Sequence, residues 1–168
     1  LGANTGLFSR LASDRGIETV SFDQDPAAVE SNYLTTVSQK ETNHLPLVLD
    51  LTNPSPRIGW ANRERMDLVD RGPVDMLFAL ALIHHLAIGN NVPLIMIAEY
   101  FRSLSTWAIV EFVPKSDKQV ARLLATREDV FPTYNEEQFE GQFERYFEIK
   151  SKHKINSSER TLYLLRGK

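Results

Sequence analysis

The chain has 168 residues, with 19 basic and 22 acidic side chains, a net charge of −3 and a pI near 5.8. Hydrophobic residues make up 42% and charged residues 24%, the balance of one globular domain rather than a disordered or low-complexity chain. There is no cysteine, which excludes a disulfide scaffold, thiolate zinc sites and a cysteine nucleophile, and the slight acidity gives no global pull toward nucleic acid or anionic membrane.

Gly2-Ala3-Asn4-Thr5-Gly6 opens the sequence, and Leu7–Ala12 follows with helical spacing until Asp14-Arg15-Gly16. Ile17–Phe22 is rich in β-formers and predicts a strand that stops at Asp23. Asp25 then reads as an N-cap and Pro26 as the first helical residue of a second helix. Leu47–Leu49 predicts a short strand ending at Asp50, and the two prolines of Thr52–Arg57 predict a loop. The charged stretch Asn62–Arg71 predicts a surface helix.

Val74–Leu82 is nearly continuous in apolar residues, as a strand buried on both faces of a parallel sheet would be. Its apolar character runs past two histidines to Leu86, too short a stretch to span a bilayer. Pro93–Leu104 predicts a helix, Trp107–Val113 another buried strand, and Ser116-Asp117 a cap for a helix over Lys118–Thr126. Glu136–Phe143 has helical spacing. Tyr146–Lys150 and Thr161–Leu165 predict two final strands around a polar turn at Asn156-Ser157-Ser158. Strands alternating with helices imply crossover units and a parallel sheet in an α/β fold. The close spacing of the last two strands allows one of them to run antiparallel.

Four elements carry chemistry. A glycine loop between strand and helix lets a ligand approach the backbone closely. The dinucleotide fingerprint needs a glycine where Asn4 stands and a third glycine further on, so the loop disfavours a nicotinamide cofactor. A tight turn without a ligand is the plain alternative. Asp23, 17 residues after Gly6, can accept hydrogen bonds from ribose hydroxyls. Asp50 can accept from an adenine amino group and the Leu51 N–H can donate to a ring nitrogen, or Asp50 simply caps the turn that follows. The fourth element is Asp75–Leu86, reading D-M-L-F-A-L-A-L-I-H-H-L.

Taken in order, these elements resemble the class I S-adenosylmethionine-dependent methyltransferases. In that family a glycine loop cradles the methionine part of the cofactor, which matches Gly2, Ala3, Asn4, Thr5 and Gly6. An acid closing the second strand holds the ribose, matching Asp23 with Gln24 beside it. The acid and neighbour that meet the adenine match Asp50 and Leu51. The fourth strand often reads D-x-V-x-x-x-x-V-L-H-H-L, and Asp75–Leu86 follows that frame, bringing the Ala79–Leu80 backbone to the cofactor. More narrowly, D-L-T-N-P-S-P-R-I-G-W and E-F-V-P-K-S-D are similar to a group of bacterial methyltransferase-like proteins, some described as nodulation-related.

The resemblance covers the whole chain. It implies a three-layer sandwich with a doubly wound, mostly parallel seven-stranded sheet of order 3-2-1-4-5-7-6, the last strand antiparallel. The family's acid two residues before the first glycine would precede Leu1, so residues 1–168 read as a single catalytic domain lacking its natural N-terminus. The implied activity is methyl transfer from S-adenosylmethionine to a small-molecule acceptor in a cytoplasmic setting, without nucleic acid or membrane as partner. The alternative is a non-catalytic methyltransferase-like scaffold.

His84, His85 and Glu111 are the candidate bases. Each has a plainer role: His84 as a packed or capping residue, Glu111 as a partner of the Pro114–Asp117 turn. Methyl transfer from a sulfonium can run largely on alignment. The histidine pair is not read as a metal site, since neighbours on a strand or loop point apart and no further ligand spacing completes a shell. Asn53-Pro54-Ser55-Pro56 follows the third strand and lacks the aromatic of amino-methyltransferase motifs, so it reads as a stiff loop. Trp60 and Tyr100 are aromatic candidates for the pocket, though aromatics more often serve the core. Lys150–Lys154 reads as a solvated face.

Overall fold

A computed structural model describes residues 1–125 and 128–168. Two compact units are present, Leu1–Pro54 and Ser55–Lys168.

The first unit begins with the glycine loop and a short helix, α1 (Leu7–Ser13), whose N-cap Gly6 has φ +81°. Strand β1 (Thr19–Asp23) follows. Helix α2 (Pro26–Gln39) starts as its sequence dictates: the Asp25 carboxylate accepts from the Ala27 N–H at 2.9 Å and Pro26 occupies the first turn. Strand β2 (His44–Val48) pairs parallel to β1, with Phe22 opposite Leu47. It starts three residues before the predicted strand, and Pro46 lies inside it. A proline can sit there because β2 has only β1 as a ladder neighbour. Helix α2 buries Ala28, Val29, Asn32 and Thr36, while Tyr33, Leu34 and Val37 are exposed.

In the second unit the predicted helix over Asn62–Arg71 does not form. Two single 3-10 turns, Trp60–Asn62 and Val69–Arg71, stand in its place. Ala61 and Asn62 have φ of +53° and +56°, outside helical space. The charges tie the loop across itself instead: Arg57 pairs with Asp67 and Asp70, and Ile58 bridges Arg65. Trp60 is 86% exposed and takes no part in the core.

Strand β3 (Val74–Ala79) ends three residues earlier than the apolar run suggested, and a π-helical turn covers His85–Gly89. Helix α3 (Leu94–Leu104) and strand β4 (Ser105–Phe112) follow. Helix α4 (Lys118–Leu124) is capped by Asp117, which accepts from the Gln119 N–H at 2.8 Å. The predicted end of that helix, Thr126, lies outside the described residues. Helix α5 (Glu136–Phe143) matches its predicted span. Strands β5 (Phe147–Lys154) and β6 (Thr161–Gly167) close the chain, each longer than predicted.

The sheet order is β3-β4-β6-β5. β3 and β4 are parallel, and β6 runs antiparallel to both neighbours. The last strand is therefore antiparallel, as expected. Among the described residues six strands form two sheets, rather than the single seven-stranded sheet that the resemblance implies. The core of this unit is aromatic. Phe139 is fully buried, with ring centroids 4.2 Å from Phe143, 4.9 Å from Tyr163 and 5.2 Å from Phe112. Phe101 of α3 meets Phe143 edge-on at 6.4 Å. Among the described residues no helix is long and apolar enough to cross a membrane.

Candidate functional site

In the first unit the structure gathers Gly2–Gly6 at the end of β1. Gly2, Asn4 and Gly6 all have positive φ, at 61°, 48° and 81°, a run that only glycine and asparagine adopt readily. Strand β1 holds the loop from below. The Ala3 N–H donates to the Phe22 carbonyl at 2.9 Å, and the Asn4 N–H donates to Asp23 Oδ2 at 2.7 Å. Thr5 N–H donates to Asn4 Oδ1 at 2.8 Å and Gly6 N–H to the Ala3 carbonyl at 2.9 Å. All four N–H groups from Ala3 to Gly6 are thus consumed internally.

Asp23 also accepts from the Asp25 N–H at 3.0 Å through Oδ1. Each carboxylate oxygen therefore carries one backbone bond and retains acceptor capacity. Gln24 is exposed beside it. On the neighbouring strand the Leu49 N–H donates to the Asp23 carbonyl at 2.9 Å, which brings Asp50 and Leu51 to the same end of this two-stranded sheet. Asp50 is exposed and takes the Thr52 N–H at 2.8 Å and the Thr52 hydroxyl at 2.7 Å, both on Oδ1. These bonds hold its carboxyl below the usual carboxylate range.

In the second unit the end of β3 leads into a strained turn. Ala79 is fully buried, Leu80 is half-buried, and Ala81 has φ +49°. The Ala81 N–H donates to Glu111 Oε2 at 2.7 Å. Glu111 Oε1 in turn accepts from Arg160 at 3.1 Å, and Arg160 Nε donates to Asp117 at 2.7 Å. The Arg160 guanidinium holds the Asp117 carboxyl below its ordinary range. Glu111 is 7% exposed, so these partners are what make its burial tolerable. Sequence reasoning missed Arg160: it stands 49 residues from Glu111, and no local pattern couples them.

The two histidines do not point apart. His84 adopts helical angles at the start of the π turn, and the rings lie side by side with centroids 4.2 Å apart. Helical backbone, not extended backbone, brings consecutive rings close. His84 is 1% exposed, and its Nδ1 is buried without a hydrogen-bond partner. Burial first, then the nearby His85 and Arg160, push its pKa down to about 4. His85 is exposed. Among the described residues no group of three or more His, Asp or Glu side chains is placed to hold a metal ion.

The depressed His84 gives a signed expectation. The unfolded chain binds a proton on this residue at a higher pH than the folded chain does, so stability is full above about pH 6.5 and falls as pH drops toward 4. The loss is on the order of 2–3 kcal/mol. Glutamates with lowered pKa begin to add their own loss below about pH 5, in wild type and variant alike. Urea denaturation between pH 7 and 4 should therefore show a slope that His84→Gln flattens. An identical slope in the variant would contradict the assignment.

The sequence is 45% identical over 164 residues to the nodulation protein NoeA of Rhizobium meliloti (strain 1021), covering 97% of this chain. The chain spans about a third of that protein's length (34%). No protein-family model matches it. Among solved structures, the PH0226 protein of Pyrococcus horikoshii is similar with a TM-score of 0.67 at 16% identity, over 99% of this chain and 79% of that one. A SAM-dependent methyltransferase of Aquifex aeolicus is similar with a TM-score of 0.63 at 14% identity, over 98% of this chain and 78% of that one. The chain thus has the fold of the class I S-adenosylmethionine-dependent methyltransferases, and its sequence is akin to that of the rhizobial nodulation protein NoeA.

Proposed function

We propose that the chain binds S-adenosylmethionine at the glycine loop and transfers its methyl group to a small-molecule acceptor. The observation that carries this reading is the fate of the loop's N–H groups. A dinucleotide pyrophosphate needs outward-pointing N–H donors, and those of Ala3, Asn4, Thr5 and Gly6 are already spent. A loop whose donors are spent has none left for a pyrophosphate, which weighs against a dinucleotide. The donor's methionine end carries an ammonium and a sulfonium. Asp23 retains acceptor capacity for two ribose hydroxyls, and Asp50 with Leu51 lies at the same sheet end for the adenine. The family resemblance assigns the Ala79–Leu80 backbone to the donor as well.

When bound, the donor supplies a methyl group on a sulfonium, which an in-line nucleophile takes as the C–S electron pair returns to sulfur. The chain's own part is to align and dry the acceptor and to receive its proton. Of the three candidate bases, His84 sits where the protonated form is strongly disfavoured. Glu111 would have to release Ala81 or Arg160 to act. His85, exposed in the π turn, is the preferred base. The same reading takes residues 1–168 as one catalytic domain of a cytoplasmic enzyme. In the family order 3-2-1-4-5-7-6, the observed β3-β4-β6-β5 run matches the 4-5-7-6 part and the β1–β2 pair the 3-2 part.

Calorimetric titration with S-adenosylmethionine and S-adenosylhomocysteine, with NAD as control, tests the proposal. Saturable binding of either methionine-derived ligand is expected, with none for NAD. Asp23→Ala should weaken it by about a hundredfold, the effect of losing two charge-assisted hydrogen bonds. Failure of the wild-type chain to bind would favour the scaffold alternative.

A further inference from the structure

Beneath the glycine loop lies a buried polar chain that no motif announced. Arg10 donates to Glu41 from Nε at 2.6 Å and from Nη2 at 3.1 Å. Glu41 Oε2 lies 3.3 Å from His44 Nδ1, and His44 Nε2 lies 2.9 Å from Ser21 Oγ. Asn32 Nδ2 donates to that same Ser21 oxygen at 3.1 Å. Ser21, Asn32 and His44 are all buried. Asn32 Oδ1 has no hydrogen-bond partner and is turned against Gly6: a Cβ there would lie 2.6 Å from Nδ2 and closer still to Oδ1.

We propose that Asn32 is a positioning residue for the glycine loop, its side-chain amide held in one orientation by Glu41 through His44 and Ser21. With the His44 imidazole neutral, donor and acceptor chemistry fixes the direction of the chain. Arg10 keeps Glu41 ionised, and an ionised carboxylate only accepts. His44 therefore donates from Nδ1, which leaves Nε2 as an acceptor for the Ser21 hydroxyl. With its proton committed, Ser21 can only accept from Asn32, so the NH2 of Asn32 must face Ser21. Its oxygen is left facing Gly6.

That orientation explains why a buried carbonyl is tolerated without a partner. Leaving such a group unpaired is costly, and here the cost fixes the wall against which the loop packs. Arg10 fastens the loop from its other end by donating to the Thr5 carbonyl at 2.9 Å. The loop is thus clamped between Asp23, Arg10 and Asn32. The inference rests on the cofactor reading for its functional meaning and on geometry for the positioning itself.

Three variants of the 168-residue chain and one control test it, using S-adenosylhomocysteine as probe. Ser21→Ala and Asn32→Ala should each weaken binding by about tenfold and shift the Gly6 amide resonance in the ligand-free protein. Glu41→Gln, which reaches the loop only through Arg10 but can donate to His44, should move the Gly6 resonance in the same direction as Ser21→Ala. The control, Val29→Ala, removes buried apolar groups of α2 outside the polar chain. It should lower the melting temperature while leaving affinity and the Gly6 resonance unchanged. Wild-type affinity and an unmoved Gly6 resonance in Ser21→Ala and Asn32→Ala would overturn the positioning role. An unmoved resonance in a folded Glu41→Gln would overturn the orientation by Glu41. A wild-type chain that does not bind the probe overturns the cofactor reading instead, and the Gly6 resonance then decides the positioning by itself.

Discussion

Gly6→Ala should cost the first unit about 3 kcal/mol and abolish the proposed donor binding. Two effects add at one position. Gly6 has φ +81°, where an L side chain costs roughly 1–2 kcal/mol. The added Cβ would also meet the Asn32 amide, a buried group tied to Ser21, and overpacking of this kind costs about 1–3 kcal/mol. Neither partner can yield cheaply, because Gly6 is also the N-cap of α1 and Asn32 is locked from behind. Urea denaturation followed by circular dichroism measures the first effect and calorimetry the second. Gly16→Ala is the matched control. Gly16 has φ +78°, and a Cβ added there would meet nothing within 4 Å, so it should show the backbone cost alone. Equal losses at the two glycines would mean that contact with Asn32 contributes nothing.

Phe139→Ala should be the most damaging core change in the second unit, at about 4 kcal/mol. Its ring is fully buried and packs on Phe143, Phe112 and Tyr163. It thereby joins α5 to β4, the strand that carries Glu111, and to β6, its antiparallel neighbour. Truncation removes the transfer energy of a phenyl ring and leaves a cavity among side chains that cannot collapse together. Phe139→Leu should cost about 1.5 kcal/mol by comparison. The urea midpoint of each variant provides the measurement. A loss below about 1 kcal/mol for Phe139→Ala would show that the cluster repacks freely.

Much of this was legible where local chemistry decides. Asp25-Pro26 announces the start of α2, Asp117 that of α4, and the spacing of Phe139 and Phe143 marks the buried face of α5. The glycine loop and Asp23 were legible as a pair because their separation matches one helix and one strand. Other features were decided by distant partners. Helix α2 turns Asn32 and Thr36 inward and Leu34 and Val37 outward, the reverse of what hydropathy suggests, because His44 and Ser21 of the sheet need polar company. Asn62–Arg71 looked helical by its charges, yet Arg57 lies upstream and draws Asp67 and Asp70 into a loop. The clamp on Glu111 depends on Arg160, which only the pairing of β4 with β6 brings near.

The double engagement of Asp23 has an evolutionary corollary. Its two oxygens fasten the backbone at Asn4 and at Asp25 and are also the acceptors that the proposed function offers to the ligand's sugar. Replacing the acid to accept a different nucleoside would unseat the loop in the same step. A lineage could change its cofactor here only by first installing another fastening for Asn4, so the choice of donor is entrenched by architecture rather than by affinity.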